Sequence, residues 1–322
     1  MLLAIAAVIV GLVILVWSAD KFVEGAAAVA KHLGMPILLI GVIIVGFGTS
    51  APELAVSANA ALNGSPGMAL GNAFGSNIAN LTLILGAAAV LSPLLVASGV
   101  IRREIPLLLA ATAVATGLLY DGEVSRIDAV IMLVVFAATM GWSIYAGIRD
   151  AGTGDVVEAE YSDEIPDMTL GKAWFWLASG LVLLVGSSHV LVWGAEFIAL
   201  SFGVSELVIG LTILAVGTSL PELAASIAAV RKGEHDMIIG NVIGSNLFNT
   251  LAVVGLAAVI TPIGATEPEF VSRDLPVNVG ITLAVLVMAV GLKGKGRINR
   301  FEGGLLLVTF AGYMTWVGLT SM

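Results

Sequence analysis

Long apolar blocks alternate with short polar breaks along the whole chain. The blocks run to roughly 16–28 residues, the length that crosses a hydrocarbon core about 30 Å thick. They predict ten spans, at 2–28, 36–62, 68–91, 105–120, 127–147, 173–200, 205–230, 236–260, 275–292 and 301–320. The breaks carry helix-ending glycine, proline and charge: HLGMP, NGSPG, SPLLVASGVIRRE, DGEVSR, RKGEHD and KGKGRINR. One longer hydrophilic stretch, 149–172, holds Asp150, Asp155, Glu158, Glu160, Asp163, Glu164 and Asp167, and reads as a solvated linker.

Composition agrees with the pattern. Of 322 residues, 58% are hydrophobic and 11% charged, and mean hydropathy is +1.04. A soluble domain carries about 25% charge, so the chain reads as an all-α membrane protein whose first partner is the lipid bilayer. The opening LLAIAAVIVGLVILVW has no basic leader and runs into SADKFVEGA, so it reads as a retained span rather than a signal peptide. No basic cluster accompanies the net charge of −9, so no nucleic-acid partner is expected, and no protein partner is evident. With no cysteine, disulfides, thiolate metal sites and cysteine nucleophiles are excluded.

The chain repeats itself. A shift of 169 residues places Gly25 on Gly194, Gly34 on Gly203, Gly41 on Gly210, Glu53 on Glu222, Ser57 on Ser226 and Pro93 on Pro262. Near the end the shift grows to 174, where Arg126, Phe136, Met140 and Trp142 meet Arg300, Phe310, Met314 and Trp316. The expected organisation is a first five-helix repeat at 1–148, an acidic cytoplasmic linker at 149–172 and a second five-helix repeat at 173–322. An odd number of spans inverts the second copy in the membrane, a transporter architecture.

Lysine and arginine orient it. With the N-terminus outside, the inner loops and helix ends collect Lys21, Lys31, Arg102, Arg103, Arg149, Lys172, Arg231, Lys232, Lys293, Lys295, Arg297 and Arg300. Only Arg126 and Arg273 fall outside. The positive-inside rule then places both termini on the extracytoplasmic side of a plasma (inner) membrane.

Two decapeptides carry the chemistry: GTSAPELAVS at 48–57 and GTSLPELAAS at 217–226. Pro52 and Pro221 lack an amide hydrogen, so the carbonyls of Gly48 and Gly217 lose their helical donors and the helix loosens just before each glutamate. Freed carbonyls inside a membrane need a side chain, water or cation to satisfy them. Glu53 and Glu222 follow at once, with Ser57 and Ser226 four residues on. Carboxylates, carbonyls and hydroxyls are the ligands of hard cations. A mid-span charge costs roughly 2.5 kcal/mol or more and is functional by default.

A second element follows each decapeptide, GNAFGSNIAN at 71–80 and GNVIGSNLFN at 240–249. Asn72, Ser76 and Asn80 share one helix face, as do Asn241, Ser245 and Asn249, and both are expected to look into the site. Gly71 with Gly75 and Gly240 with Gly244 form GxxxG pairs suited to close helix approach. Glu24 reads as a helix-end ion pair with Lys21, His189 and Glu196 as gating or packing residues, and Trp174, Trp176 and Trp193 as interfacial or packing aromatics.

These doubled motifs resemble the alpha-repeats of the sodium/calcium exchanger family, within the calcium/cation antiporter superfamily, of a prokaryotic type without regulatory domains. The resemblance extends over essentially the whole chain and implies that Glu53 and Glu222 are shared calcium and sodium ligands. It implies backbone carbonyls from Thr49 and Thr218, and from Gly46 and Ala215 toward sodium. Hydroxyls of Ser50, Ser76, Ser219 and Ser245 would join them, with Asn80 and Asn249 lining the middle. Several family members carry aspartate at one of these last two positions; asparagine at both reduces the centre to two carboxylates. The cargo would be Ca2+ and Na+, with no cofactor.

The implied mechanism is competition for one negative site, with one calcium ion balancing two carboxylates. Three sodium ions would do the same with one charge in excess, so exchange would be electrogenic and independent of potassium. Two close carboxylates without a counter-ion repel, so an empty site is costly or takes up a proton. Spans 1 and 6 would then move against the motif core, which the resemblance implies and the residues do not. A proton/calcium antiporter using the same glutamates is the nearest alternative. A passive cation channel fits the carboxylates but not the inverted duplication. An enzyme is not expected, since paired aspartates, HExxH and a Ser-His-acid set are absent.

Overall fold

A computed structural model describes residues 1–64, 66–97, 99–151, 168–202, 215–264, 266, 269–291 and 296–320. Helices make up nearly all of it. Seven are long and apolar enough to cross a membrane: α1 (Leu2–Leu33), α4 (Gly67–Leu91), α6 (Arg126–Ala151), α7 (Leu170–Ser201), α10 (His235–Ile260), α11 (Phe270–Val290) and α12 (Arg300–Thr320). One further span is broken, with α2 (Ile37–Thr49) meeting α3 (Ala51–Leu62) at a bend of 43°. The shorter α5 (Ile105–Leu118) fills the place of the predicted span 105–120. The predicted span 205–230 lies partly outside the described residues; its visible part is α8 (Ala215–Thr218) and α9 (Leu220–Arg231). Of the linker, 152–167 also lies outside them.

Several helix limits differ from the sequence reading. The first span runs on to Leu33 because Lys31 and His32 suit a helix C-terminus, and Gly34 ends it at φ 59° in the left-handed region. Periodicity also gave no sign of five π-turns: Gly41–Val45, Asn80–Ile84, Val100–Glu104, Phe248–Val253 and Phe270–Asp274. The third and fifth run into Pro106 and Pro276, whose missing N–H groups remove i to i+4 bonds and favour a wider turn.

Contacts recur in pairs related by the sequence shifts. Strands β1 (Leu94–Leu95) and β2 (Arg297–Ile298) pair antiparallel, Leu94 opposite Ile298. Val124 bridges Ile263 in the same sense, and the two shifts carry one pair onto the other. The long helices α1 and α7 pack antiparallel along a seam of glycines. A Cβ on Gly11 would lie 3.0 Å from Leu191 and on Gly180 2.8 Å from Phe22; on Gly25 it would lie 2.5 Å from Leu177 and on Gly194 2.8 Å from Ala4. Gly11 maps onto Gly180 and Gly25 onto Gly194, so the seam matches itself.

The motif helices α4 and α10 form the buried centre, while α6 and α12 expose most of their surface as membrane-facing helices do. At Gly240 and Gly244 the backbone of α10 meets α2 directly: added Cβ atoms would lie 2.5 Å from the Leu38 carbonyl oxygen and 2.2 Å from that of Val42. The first GxxxG pair, Gly71 and Gly75, meets no described atom within 4 Å; the segment corresponding to α2, residues 206–214, lies outside the described residues.

Candidate cation site

Both proline motifs break their helices one residue earlier than a proline kink alone requires. Ser50 (φ −82°, ψ 7°) and Ser219 (φ −88°, ψ 5°) leave helical geometry between the GT and PE halves. Proline then sits in the first turn of α3 and α9, where its missing N–H is harmless, and Glu53 and Glu222 follow in that same turn. Each carboxylate therefore lies beside a helix N-terminus, whose partial positive charge favours an anion.

The predicted site residues are buried. Thr49, Ser50, Glu53, Ser245 and Asn249 have no exposed surface, and Ser76, Asn80, Ser219 and Glu222 are at or below 3%. Thr218 and Gly46 are buried too, and Ala215 opens α8. The two motifs interlock. Ser50 Oγ donates to Glu222 Oε1 across the chain at 2.9 Å, and Ser76 Oγ donates to Glu53 Oε1 at 3.3 Å. Ser245 Oγ donates to the Gly46 carbonyl at 3.2 Å. The Thr49 hydroxyl lies 2.9 Å from the Val45 carbonyl and 3.2 Å from Asn241 Oδ1. The Glu222 carboxylate thus takes a hydroxyl from the other motif, and the Glu53 carboxylate takes one from the helix that follows its own motif.

Most of what remains on these residues is oxygen, with Asn249 Nδ2 the one unengaged nitrogen among them. Glu53 Oε2, Glu222 Oε2, Ser219 Oγ, Asn80 Oδ1 and Asn249 Oδ1 are buried with no donor or acceptor among the described residues. Two carboxylates and neutral oxygens compose a hard-cation donor set. Among the described residues no group of three or more His, Cys, Asp or Glu side chains gathers anywhere, so the negative charge of this centre comes from two glutamates.

Sodium/calcium exchanger sequences match this chain over residues 3–145 and 172–319, under the family description "Sodium/calcium exchanger protein". The chain belongs to the sodium/calcium exchanger family. It is 47% identical to "Putative antiporter CaxA" of Alkalimonas amylolytica over 97% of this chain and 98% of that one. It is 30% identical to "Sodium/calcium exchanger MaX1" of Methanosarcina acetivorans, over 95% and 96%. Its fold superposes on the solved sodium-calcium exchanger NCX_Mj, soaked with 10 mM Na+ and 10 mM Sr2+, with a TM-score of 0.84, 30% identity and 98% of both chains covered. It is thus an antiporter-family membrane protein.

The structure also redraws parts of the sequence reading. The amide nitrogens of Asn72 and Asn241 serve the glutamate helices rather than the carboxylates, while Asn241 Oδ1 lies against Thr49. Asn72 Nδ2 donates to the Glu53 carbonyl at 3.0 Å and to Ser57 Oγ at 2.9 Å; Asn241 Nδ2 does the same to Glu222 at 3.4 Å and Ser226 at 3.1 Å. Ser57 and Ser226 are therefore engaged with asparagines on the neighbouring helix. The second turn of α4 and of α10 lies beside the glutamate helix, so its asparagine meets that backbone. Asn77 and Asn246 were not singled out in the sequence, yet Asn77 Nδ2 donates to Thr250 Oγ1 at 2.7 Å and Asn80 Nδ2 to Asn246 Oδ1 at 3.4 Å. Their repetition in GSN/GSN was the available signal.

Glu24 pairs with Lys21 at 2.7 Å as expected, but it stands well inside α1 rather than at its end, and it also binds Lys232 at 3.0 Å. The long-range partner, invisible in sequence, ties α1 to the far end of α9. His189 is exposed, with its ring against the Val185 carbonyl. The Glu196 side chain lies outside the described set. Trp174 and Trp193 are exposed, and Trp176 packs on Trp17 and Phe175.

Proposed function

We propose that this protein exchanges sodium for calcium by alternating access, with Glu53 and Glu222 as shared ligands at the centre of two inverted five-span repeats. The observation that carries the reading is the interlock of the two motifs. Glu222 takes a hydroxyl from Ser50 of the other repeat, and both glutamates keep one buried oxygen unengaged. A centre assembled from both halves is shared between them, as rocking of one part against the other requires.

The ligand set is Glu53, Glu222, the hydroxyls of Ser50, Ser76, Ser219 and Ser245, the carbonyls of Thr49, Thr218, Gly46 and Ala215, and Asn80 with Asn249. Ser245 donating to the Gly46 carbonyl puts two members of this set in direct contact. Calcium neutralises the two carboxylates; three sodium ions leave one positive charge over, so the cycle moves net charge. Among the described residues no further carboxylate joins the two glutamates for potassium. Both termini face outward from an inner membrane, and no cofactor takes part.

The coupling ion is tested in proteoliposomes, where calcium uptake is measured against imposed sodium, proton and potassium gradients one at a time. Uptake driven by an opposing sodium gradient alone is the expected result. Uptake driven by a pH gradient without sodium assigns the same glutamates to proton exchange, and uptake without any opposing gradient assigns a channel.

A further inference from the structure

The two halves differ at one residue that touches the broken helices. Helix α7 faces both breaks: a Cβ on Gly48 would lie 3.0 Å from Leu181, and one on Gly217 2.4 Å from Val192. One turn from Val192, Ser188 Oγ donates to the Gly217 carbonyl at 3.0 Å with the serine 3% exposed. That carbonyl is the one from which Pro221 withholds a helical N–H. Its buried oxygen therefore receives its side-chain donor from α7.

The corresponding residues of α1 are known from the 169 shift: Leu12 for Leu181, Val23 for Val192 and Ala19 for Ser188. The alignment is sound at this place, because Ser18 donates to the Leu15 carbonyl at 3.1 Å and Ser187 to the Leu184 carbonyl at 3.0 Å, one residue before each. Two of the three break-facing residues are thus conserved in type, and the third exchanges a hydroxyl for a methyl.

The structure itself is not symmetric. Helix α1 lies along α9, and Glu24 binds Lys232 at its end, whereas α7 forms no comparable seam with α3 among the described residues. The side carrying loop 231–234 is therefore closed. In an inverted repeat the opposite state exchanges these roles, so that Ala19 would stand at Gly48 and offer it nothing. The Ser188 bond belongs to one of the two states only.

We propose that Ser188 is a positioning residue that holds α8, just before the Ser219 break, in the state closed toward loop 231–234, and that Ala19 leaves the opposite state without the matching bond. The proposal rests on alternating access between inverted repeats. A net hydrogen bond of this kind is worth about 1 kcal/mol, or about a fivefold bias between the two states.

The test uses Ser188→Ala, Ser188→Thr, Ala19→Ser and the Ser188→Ala/Ala19→Ser exchange in the full chain. Each also carries Ala229→Cys, a buried α9 position near loop 231–234, as a reporter in a chain with no other cysteine. The first reading is the thiol-labelling rate from the loop 231–234 side; the second is apparent KM for calcium on each side of the bilayer. Ser188→Ala should raise labelling about fivefold and shift the ratio of the two KM values by a similar factor. Ser188→Thr, which keeps the hydroxyl, should stay within twofold of the parent. Ala19→Ser should shift labelling in the same direction as Ser188→Ala, because it stabilises the opposite state, and the exchange should add the two. Unchanged labelling in Ser188→Ala, or slower labelling in Ala19→Ser, overturns the proposal. Should Ser188→Ala not fold, Ala19→Ser decides alone. Labelling does not depend on which ion is carried, so a failure of sodium/calcium coupling would appear in the uptake assay and leave this result standing.

Discussion

Ser50 and Glu222 lie 172 residues apart in sequence, yet the serine hydroxyl donates to the carboxylate at 2.9 Å inside the protein. Neither residue has more than 1% of its surface exposed, so this bond is made where an unsatisfied carboxylate oxygen would be expensive. It binds the first motif to the charge of the second. Removing it with Ser50→Ala leaves the carboxylate less well held, and hydrogen bonds to charged groups are worth about 1.5–3 kcal/mol. Apparent KM for calcium should rise by about tenfold or more, measured as initial uptake over a calcium series; a KM within twofold of the parent would place Ser50 outside the site.

Neutralising either glutamate should abolish exchange. Glu53→Gln and Glu222→Gln keep size and hydrogen bonding but remove half the negative charge that balances calcium. Gradient-driven uptake should fall to background while the purified protein stays monodisperse in detergent. Substantial uptake by either variant would remove that residue from the essential ligands.

Asn72 and Asn241 are expected to act on the glutamates through the backbone. Asn241→Ala frees both the Glu222 carbonyl and Ser226, which Asn241 bonds at 3.4 and 3.1 Å. Calcium KM should rise, and adding Ser226→Ala should then change little, because the same contact is already lost. Full additivity in that double-mutant cycle would show that the pair does not work as a unit.

At the α2–α10 contact the limit is steric. A Cβ at Gly244 would sit 2.2 Å from the Val42 carbonyl oxygen, which is backbone and cannot rotate away. Gly244→Val should destabilise the fold by more than about 1–3 kcal/mol. Gly71→Ala, where no described atom lies within 4 Å, should be better tolerated. Thermal unfolding followed by loss of the monodisperse peak ranks the two.

The electrical prediction follows from charge counting. With two carboxylates, exchange of three sodium ions for one calcium moves one charge, and protonation of either glutamate removes a ligand. Sodium-driven calcium uptake should respond to a voltage clamped with valinomycin, proceed without potassium gradients, and decline in acid. Voltage independence would defeat the three-for-one scheme. Topology is checked on the same chain: a single cysteine at Ser162 should label from the cytoplasm, and one at Ser125 from outside.

Much of the fold and of the candidate site was legible in the sequence. Block length exposed the spans, because a helix rising 1.5 Å per residue must match the bilayer. Repetition of PE, GSN and proline identified the candidate residues, since a charge inside an apolar span has few bland explanations. Tertiary structure decided what each polar group faces. Asn72 and Ser76 share a helix face, but only packing determines that one meets the Glu53 carbonyl and the other its carboxylate. Periodicity records which residues share a face and is silent about the neighbour, so the Glu24–Lys232 pair, 208 residues apart, left no local trace. The π-turns escaped for a related reason: one extra residue in a turn is set by what must fit beside it. The Ser188–Gly217 bond needed both sources, the shift to identify Ala19 as its counterpart and the fold to bring the hydroxyl to the carbonyl.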